Sequence, residues 1–180
     1  MFSTPVSLKR RTGRFGVGRF EYLKQLLNEY ENPVTNDESK IQLLANFANF
    51  SYDPINYEFL RRLNIIDLFL DCLRVHNDDD FAHYALAGLC NLSSDATNAQ
   101  LIFEKSPSIS VCLVRCLLSS RFDLVINSML TMMFLMDHSN EFRKDLTQRN
   151  ELRACLEKYS QSKDQRLSNI SKLFLQDYFS

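Results

Sequence analysis

Apolar residues three apart run through Leu44, Phe47 and Phe50, and the same triplet returns as Leu86, Leu89 and Leu92. It returns again as Met129, Met132 and Leu135, and as Leu167, Ile170 and Leu173, so the steps between copies are 42, 43 and 38 residues. Spacing of this kind places the apolar positions along one side of an α-helix and predicts that each stripe is buried. The polar residues between the stripes repeat as well. Leu44, Ala45, Asn49, Ser51, Asp53 and Asn56 are answered 42 positions later by Leu86, Ala87, Asn91, Ser93, Asp95 and Asn98. Asp137 and Asn140 keep that step although the third helix has slipped by one, as a loop one residue shorter would cause.

The segments between copies also read as helices. Tyr22, Leu23, Leu26, Leu27 and Tyr30 predict an amphipathic helix over 20–30, closed before Asn32-Pro33 because a residue ahead of proline avoids the helical region. It is placed to cover the open end of the stack. Asn36 or Asp37 is a plausible N-cap for the helix over 40–50. A short helix from Asn56 and a longer one over 65–73 follow, then an acidic loop, Asn77-Asp78-Asp79-Asp80. The second copy repeats this order from Asn98, with its longer helix over 109–118. A boundary at Ser119-Ser120 precedes a helix over 122–136 that carries four methionines. Shorter elements around Phe142 and Leu152, and a closing helix over 165–179, complete the chain.

Bulk composition leaves this picture intact. The 180 residues are 45% apolar and 24% charged with net charge -1, and four Gly and four Pro are too few for a loop-rich all-β fold. No apolar run approaches the roughly 18 residues that span a membrane. The start Met1-Phe2-Ser3-Thr4-Pro5 lacks the apolar stretch of a signal peptide, so a cytosolic or nuclear protein is expected. Cys72, Cys90, Cys112, Cys116 and Cys155 read as small core residues of a reducing compartment. Residues 1–13, with Lys9, Arg10 and Arg11, read as a disordered basic tail, and 14–180 as one domain. Lys9, Arg10, Arg11 and Arg14 are candidate contacts for RNA phosphate or an import receptor, or simply a solvated tail.

A helical period near 40 is the mark of an armadillo or HEAT solenoid. Leu86-Ala87-Gly88-Leu89-Cys90-Asn91-Leu92-Ser93 resembles the third helix of an armadillo repeat, and Phe47-Ala48-Asn49-Phe50-Ser51 is the same motif with phenylalanines. The resemblance covers 20–178. It implies an all-α, right-handed superhelix of about four repeats with capping helices, whose third helices line a groove that holds an extended peptide. The groove residues it points to are Gln42, Asn46 and Asn49, then Tyr84, Gly88 and Asn91, then Asn127, Thr131 and Phe134, and finally Asn169 and Lys172. A carboxamide offers both donors and an acceptor, so Asn49 and Asn91 suit a peptide backbone of any sequence. Gly88, costly inside a helix, reads either as room for a partner or as easier packing between repeats.

Gly18-Arg19-Phe20-Glu21-Tyr22-Leu23, the run from Leu44 to Arg61, and Asp67-Leu68-Phe69-Leu70-Asp71 resemble more narrowly a small armadillo protein of the minor spliceosome. That resemblance implies a non-catalytic nuclear scaffold of U12-type splicing, also present in the cytoplasm if not confined to the nucleus. Its partners would be a protein with an RNA-recognition motif and other minor-spliceosome components, with RNA contacted indirectly. The alternative is a general armadillo adaptor for an extended peptide of an unrelated cytosolic complex. Neither reading calls for a cofactor, a metal, a small-molecule substrate or a membrane. His76, His83 and His138 lie in different units without a nucleophile or phosphate-loop motif, and the acidic loop lacks the glycine and distal glutamate of an EF-hand.

Overall fold

The computed structural model describes residues 2–12, 16–76 and 80–179, and the described residues are helices joined by short turns. In chain order these are α1 (Pro5–Thr12), α2 (Arg19–Glu31), α3 (Asp37–Ser51), α4 (Tyr57–Arg62), α5 (Ile65–Val75), α6 (Asp80–Ser93), α7 (Ala96–Lys105), α8 (Ile109–Cys116), α9 (Phe122–His138), α10 (Asn140–Thr147), α11 (Asn150–Ser160) and α12 (Gln165–Tyr178). A 3-10 turn, Pro54–Asn56, leads into α4. The triplets α4–α5–α6, α7–α8–α9 and α10–α11–α12 are successive units, and α2 with α3 forms a partial one. Third helices pack in sequence, α3 on α6, α6 on α9 and α9 on α12, with α5 behind α6 and α8 behind α9. This is an all-α, armadillo-type solenoid.

The predicted stripes form its core. Leu44, Phe47, Leu86, Leu89, Met129, Met132 and Leu135 are wholly enclosed, each contributing roughly 1.5–3 kcal/mol relative to an exposed side chain. The fourth stripe is corrected. Leu173 is 45% exposed, and the inward positions of α12 are Leu167, Ser171 and Phe174. These answer Val125, Met129 and Met132 after 42 residues rather than 38, and Ser171 Oγ lies 3.5 Å from Met129 Sδ across the α9–α12 seam. Small serines at 168 and 171 let the helices approach closely, which an apolar-only pattern does not register.

Much of the repeated polar motif closes the turn after each third helix. Ser51 Oγ donates to Phe47 O at 2.8 Å and Ser93 Oγ to Leu89 O at 2.6 Å, each turning back onto the carbonyl four residues earlier. Asp53 accepts from Ile55 N, and Asp95 accepts from Asn98 N to cap α7. Asn56 and Asn98 are buried, Asn56 donating to Phe50 O at 2.9 Å and Asn98 accepting from Arg61 Nη1 at 2.8 Å. Arg61 thereby ties α4 to the start of the next unit.

A second ladder runs along the opposite ends of the third helices. Arg121 meets Asp80 at 2.7 Å and Arg166 meets Asp123 at 2.9 Å. Both aspartates sit in a first helical turn, where the helix dipole favours negative charge. Exposed pairs of this kind contribute at most about 1 kcal/mol, so they set register more than they hold the fold.

Within the basic start, Pro5–Thr12 is helical. Thr4 and Ser7 explain the local preference: Thr4 N–H donates to Ser7 Oγ at 2.9 Å and Ser7 N–H to Thr4 Oγ1 at 3.2 Å, a reciprocal cap. Asn77, Asp78 and Asp79 of the acidic loop lie outside the described residues.

Candidate partner-binding site

The row of third helices opens a cleft of about 580 Å³ between the ends of α3 and α6 and the middle of α9. Cys90 and Asn91 come from α6, and Asn127, Leu130 and Phe134 from α9. Tyr52, Pro54 and Tyr57 close it from the turn after α3, Ser94 and Asp95 from the turn after α6, and Phe2 from the chain's start. These walls are mixed. Tyr57, Leu130 and Phe134 supply apolar surface, while the carboxamides and Asp95 supply donors and acceptors, a combination suited to a peptide segment carrying one large apolar side chain.

Of the residues read from the sequence, Asn91, Asn127 and Phe134 meet here. Asn91 is already engaged: its Nδ2 donates to Ala48 O of α3 at 3.0 Å, while its own carbonyl accepts from the Tyr57 hydroxyl at 3.1 Å. The carboxamide expected to hold a partner's backbone therefore spends one of its two N–H donors on the neighbouring repeat and leaves the other, with the side-chain oxygen. Asn49, next to Ala48, is exposed, as is Gln42, and Asn46 is partly exposed; all three continue the face along α3 beyond the cleft. Partly exposed Tyr84 packs edge-on to His83 at 4.9 Å. Asn169 and Lys172 are exposed on α12, where Gln165 Nε2 donates to Asn169 Oδ1 at 2.6 Å. Under the 42-residue step Lys172 is the counterpart of Leu130 rather than of Phe134.

Two expected groove residues are removed by the structure. Gly88 is buried and faces α5, where an added Cβ would stand 2.3 Å from Cε2 and Cζ of Phe69. Its lack of a side chain makes room for that ring and not for a partner. Thr131 is 1% exposed, and its Oγ1 donates to Asn127 O at 2.7 Å inside α9. Lys9 and Arg10 are exposed on α1, whereas the Arg11 side chain and Arg14 lie outside the described residues.

Sequence reasoning missed Tyr52, Tyr57, Leu130 and Phe2. Tyr52 and Tyr57 flank the repeated turn and were legible as its neighbours; nothing in the linear order places Phe2 beside them. Burial holds the Tyr57 phenol above its ordinary pKa and pushes the Cys90 thiol up to about 11, so both enter the cleft uncharged at neutral pH. His83 is pushed the other way, first by burial and then by the Arg121 cation, which keeps a neutral imidazole beside Tyr84. Among the described residues no three His, Cys, Asp or Glu side chains gather as metal ligands would, and no helix is long and apolar enough to cross a membrane.

A larger cleft of about 630 Å³ lies between α7, α8 and α10, lined by Phe103, Val111, His138, Phe142 and Arg149 among others. It contains none of the residues of the repeated third-helix face. The cleft on the third helices is therefore the better candidate.

Helix triplets stacked so that their third members form one continuous face define a protein-interaction scaffold, and the chain belongs to the armadillo-repeat family. Among curated proteins, it is 35% identical over 164 residues to mouse Armadillo repeat-containing protein 7, across 91% of this chain and 80% of that protein. A scan against protein-family profiles matches none of them.

The engaged state of Asn91 has a measurable consequence. Asn91→Ala is expected to lower stability by about 1 kcal/mol through loss of the bond to α3, while Asn49→Ala stays within about 0.5 kcal/mol, as exposed substitutions do. Urea unfolding of the two variants checks the contrast. Any loss of partner binding in Asn91→Ala has to be read after that correction.

Proposed function

We propose that this chain is a non-catalytic scaffold of the minor spliceosome that grips a segment of a protein containing an RNA-recognition motif, supporting splicing of U12-type introns in the nucleus. The observation that carries the gripping role is the cleft in which Asn91, Asn127, Leu130 and Phe134 converge from two adjacent third helices. The narrower assignment rests on the resemblance of the stretches around Gly18, Leu44 and Asp67 to a small armadillo protein of that machinery; the mouse relative supports the armadillo scaffold. RNA is reached through the partner, with Lys9 and Arg10 available as auxiliary phosphate contacts.

Affinity capture of the tagged chain from nuclear extract tests this reading. The expected result is recovery of an RNA-recognition-motif protein together with minor-spliceosome RNA. Recovery of a cytosolic complex without splicing components would instead establish the general adaptor.

A further inference from the structure

The first residues of the chain lie against the cleft just described. The Phe2 ring sits 5.6 Å from the Tyr52 ring and lines the cavity, and Ser3 N–H donates to Asp53 Oδ2 at 2.9 Å. Directly afterwards the Thr4–Ser7 cap turns the chain into α1, none of whose described side chains is buried. The named contacts between start and cleft are thus concentrated in two adjacent residues: an aromatic ring and the backbone N–H that follows it.

Asp53 is placed for this by a difference between repeats. Its counterparts Asp95 and Asp137 each meet a cation of the fold, Arg61 at 3.5 Å and Arg143 at 3.4 Å, and Asp137 also accepts from the Tyr178 hydroxyl at 2.8 Å. In Asp53, Oδ1 takes Ile55 N–H to cap the 3-10 turn, and Oδ2 receives the chain's start. Burial works against the Asp53 carboxylate, but the hydrogen bonds from Ser3 and Ile55 and the nearby Arg19 outweigh it, so the group stays charged and accepting at neutral pH. Phe2 is still 56% exposed. The seat is shallow, as expected of a contact that a better-fitting segment can replace.

We propose that the segment Phe2–Thr12 is an internal ligand of this cleft. The external partner presents the same chemistry, an aromatic side chain followed at once by a free backbone N–H, and displaces it. The displacement rests on the cleft being the partner site; internal occupancy does not.

A fluorescein-labelled peptide of residues 1–12, titrated by anisotropy against the full chain, separates the two. Because an occupied site weakens apparent affinity by the fraction that is free, full-length Phe2→Gln is expected to bind the peptide at least about tenfold more tightly than the unaltered chain. Adding Leu130→Lys to Phe2→Gln is expected to abolish that binding. Equal affinity for the unaltered chain and Phe2→Gln, no binding to Phe2→Gln, or binding indifferent to Leu130→Lys would each overturn the proposal. Capture of the splicing partner from extract is a separate readout, so failure here and failure of the scaffold reading are distinguishable.

Discussion

Phe69→Ala should lower the stability of the chain by about 3–5 kcal/mol, the range for emptying a buried aromatic site. Phe69 is wholly enclosed on α5 and its ring fills the space left by Gly88 on α6. The pair therefore joins a second helix to the third helix that contributes Cys90 and Asn91 to the cleft. Gly88→Ala gains roughly 1 kcal/mol of helix propensity, but its Cβ meets the Phe69 ring at 2.3 Å and overpacking of this kind costs about 1–3 kcal/mol. Net destabilisation is expected. In a Phe69→Leu background the obstruction is gone and Gly88→Ala should become stabilising, with a coupling of about 1–3 kcal/mol in a double-mutant cycle followed by urea unfolding. A loss from Gly88→Ala that is the same in both backgrounds would mean that the glycine is needed for something other than this ring.

Leu130→Lys combined with Phe134→Lys should remove partner capture altogether while leaving helix content and unfolding midpoint close to those of the unaltered chain. Both side chains are only partly buried and both line the cleft, so the change falls on the exposed part of α9 and spares Met129, Met132 and Leu135 beneath it. Two charges placed where an apolar anchor is to be desolvated oppose binding by several kcal/mol. Capture assays and circular dichroism on the same preparation check both halves of this expectation. Capture that survives the double substitution would place the partner elsewhere.

The helices were legible because burial dictates their spacing. Leu44 and Phe47, then Leu86 and Leu89, advertise an inward side whatever else the chain does, and the turn signals at Asn36, Asp53 and Asp95 follow from capping chemistry that is local. The site was less legible because it depends on contacts between units. Asn91 has the form of a peptide-holding carboxamide, yet only the position of the Ala48 carbonyl decides where one of its two donors goes. Gly88 announces that something comes close, and the sequence cannot say whether that is a partner or Phe69. Thr131 turns its hydroxyl back onto its own helix, and α12 hides its register because Ser168 and Ser171 occupy inward positions. Phe2 reaches Tyr52 and Ser3 reaches Asp53, each 50 positions further along the chain, and Asp53 itself looked like only a turn residue.

A photoreactive benzoylphenylalanine at position 134, compared with one at position 111, addresses the central claim most directly. Phe134 looks into the third-helix cleft, and Val111 lines the larger cleft between α7, α8 and α10. Irradiation in nuclear extract is predicted to join the partner protein to position 134 and not to position 111. Crosslinking at position 111 with none at position 134 would contradict the account, because the partner would then be held by the other face of the molecule.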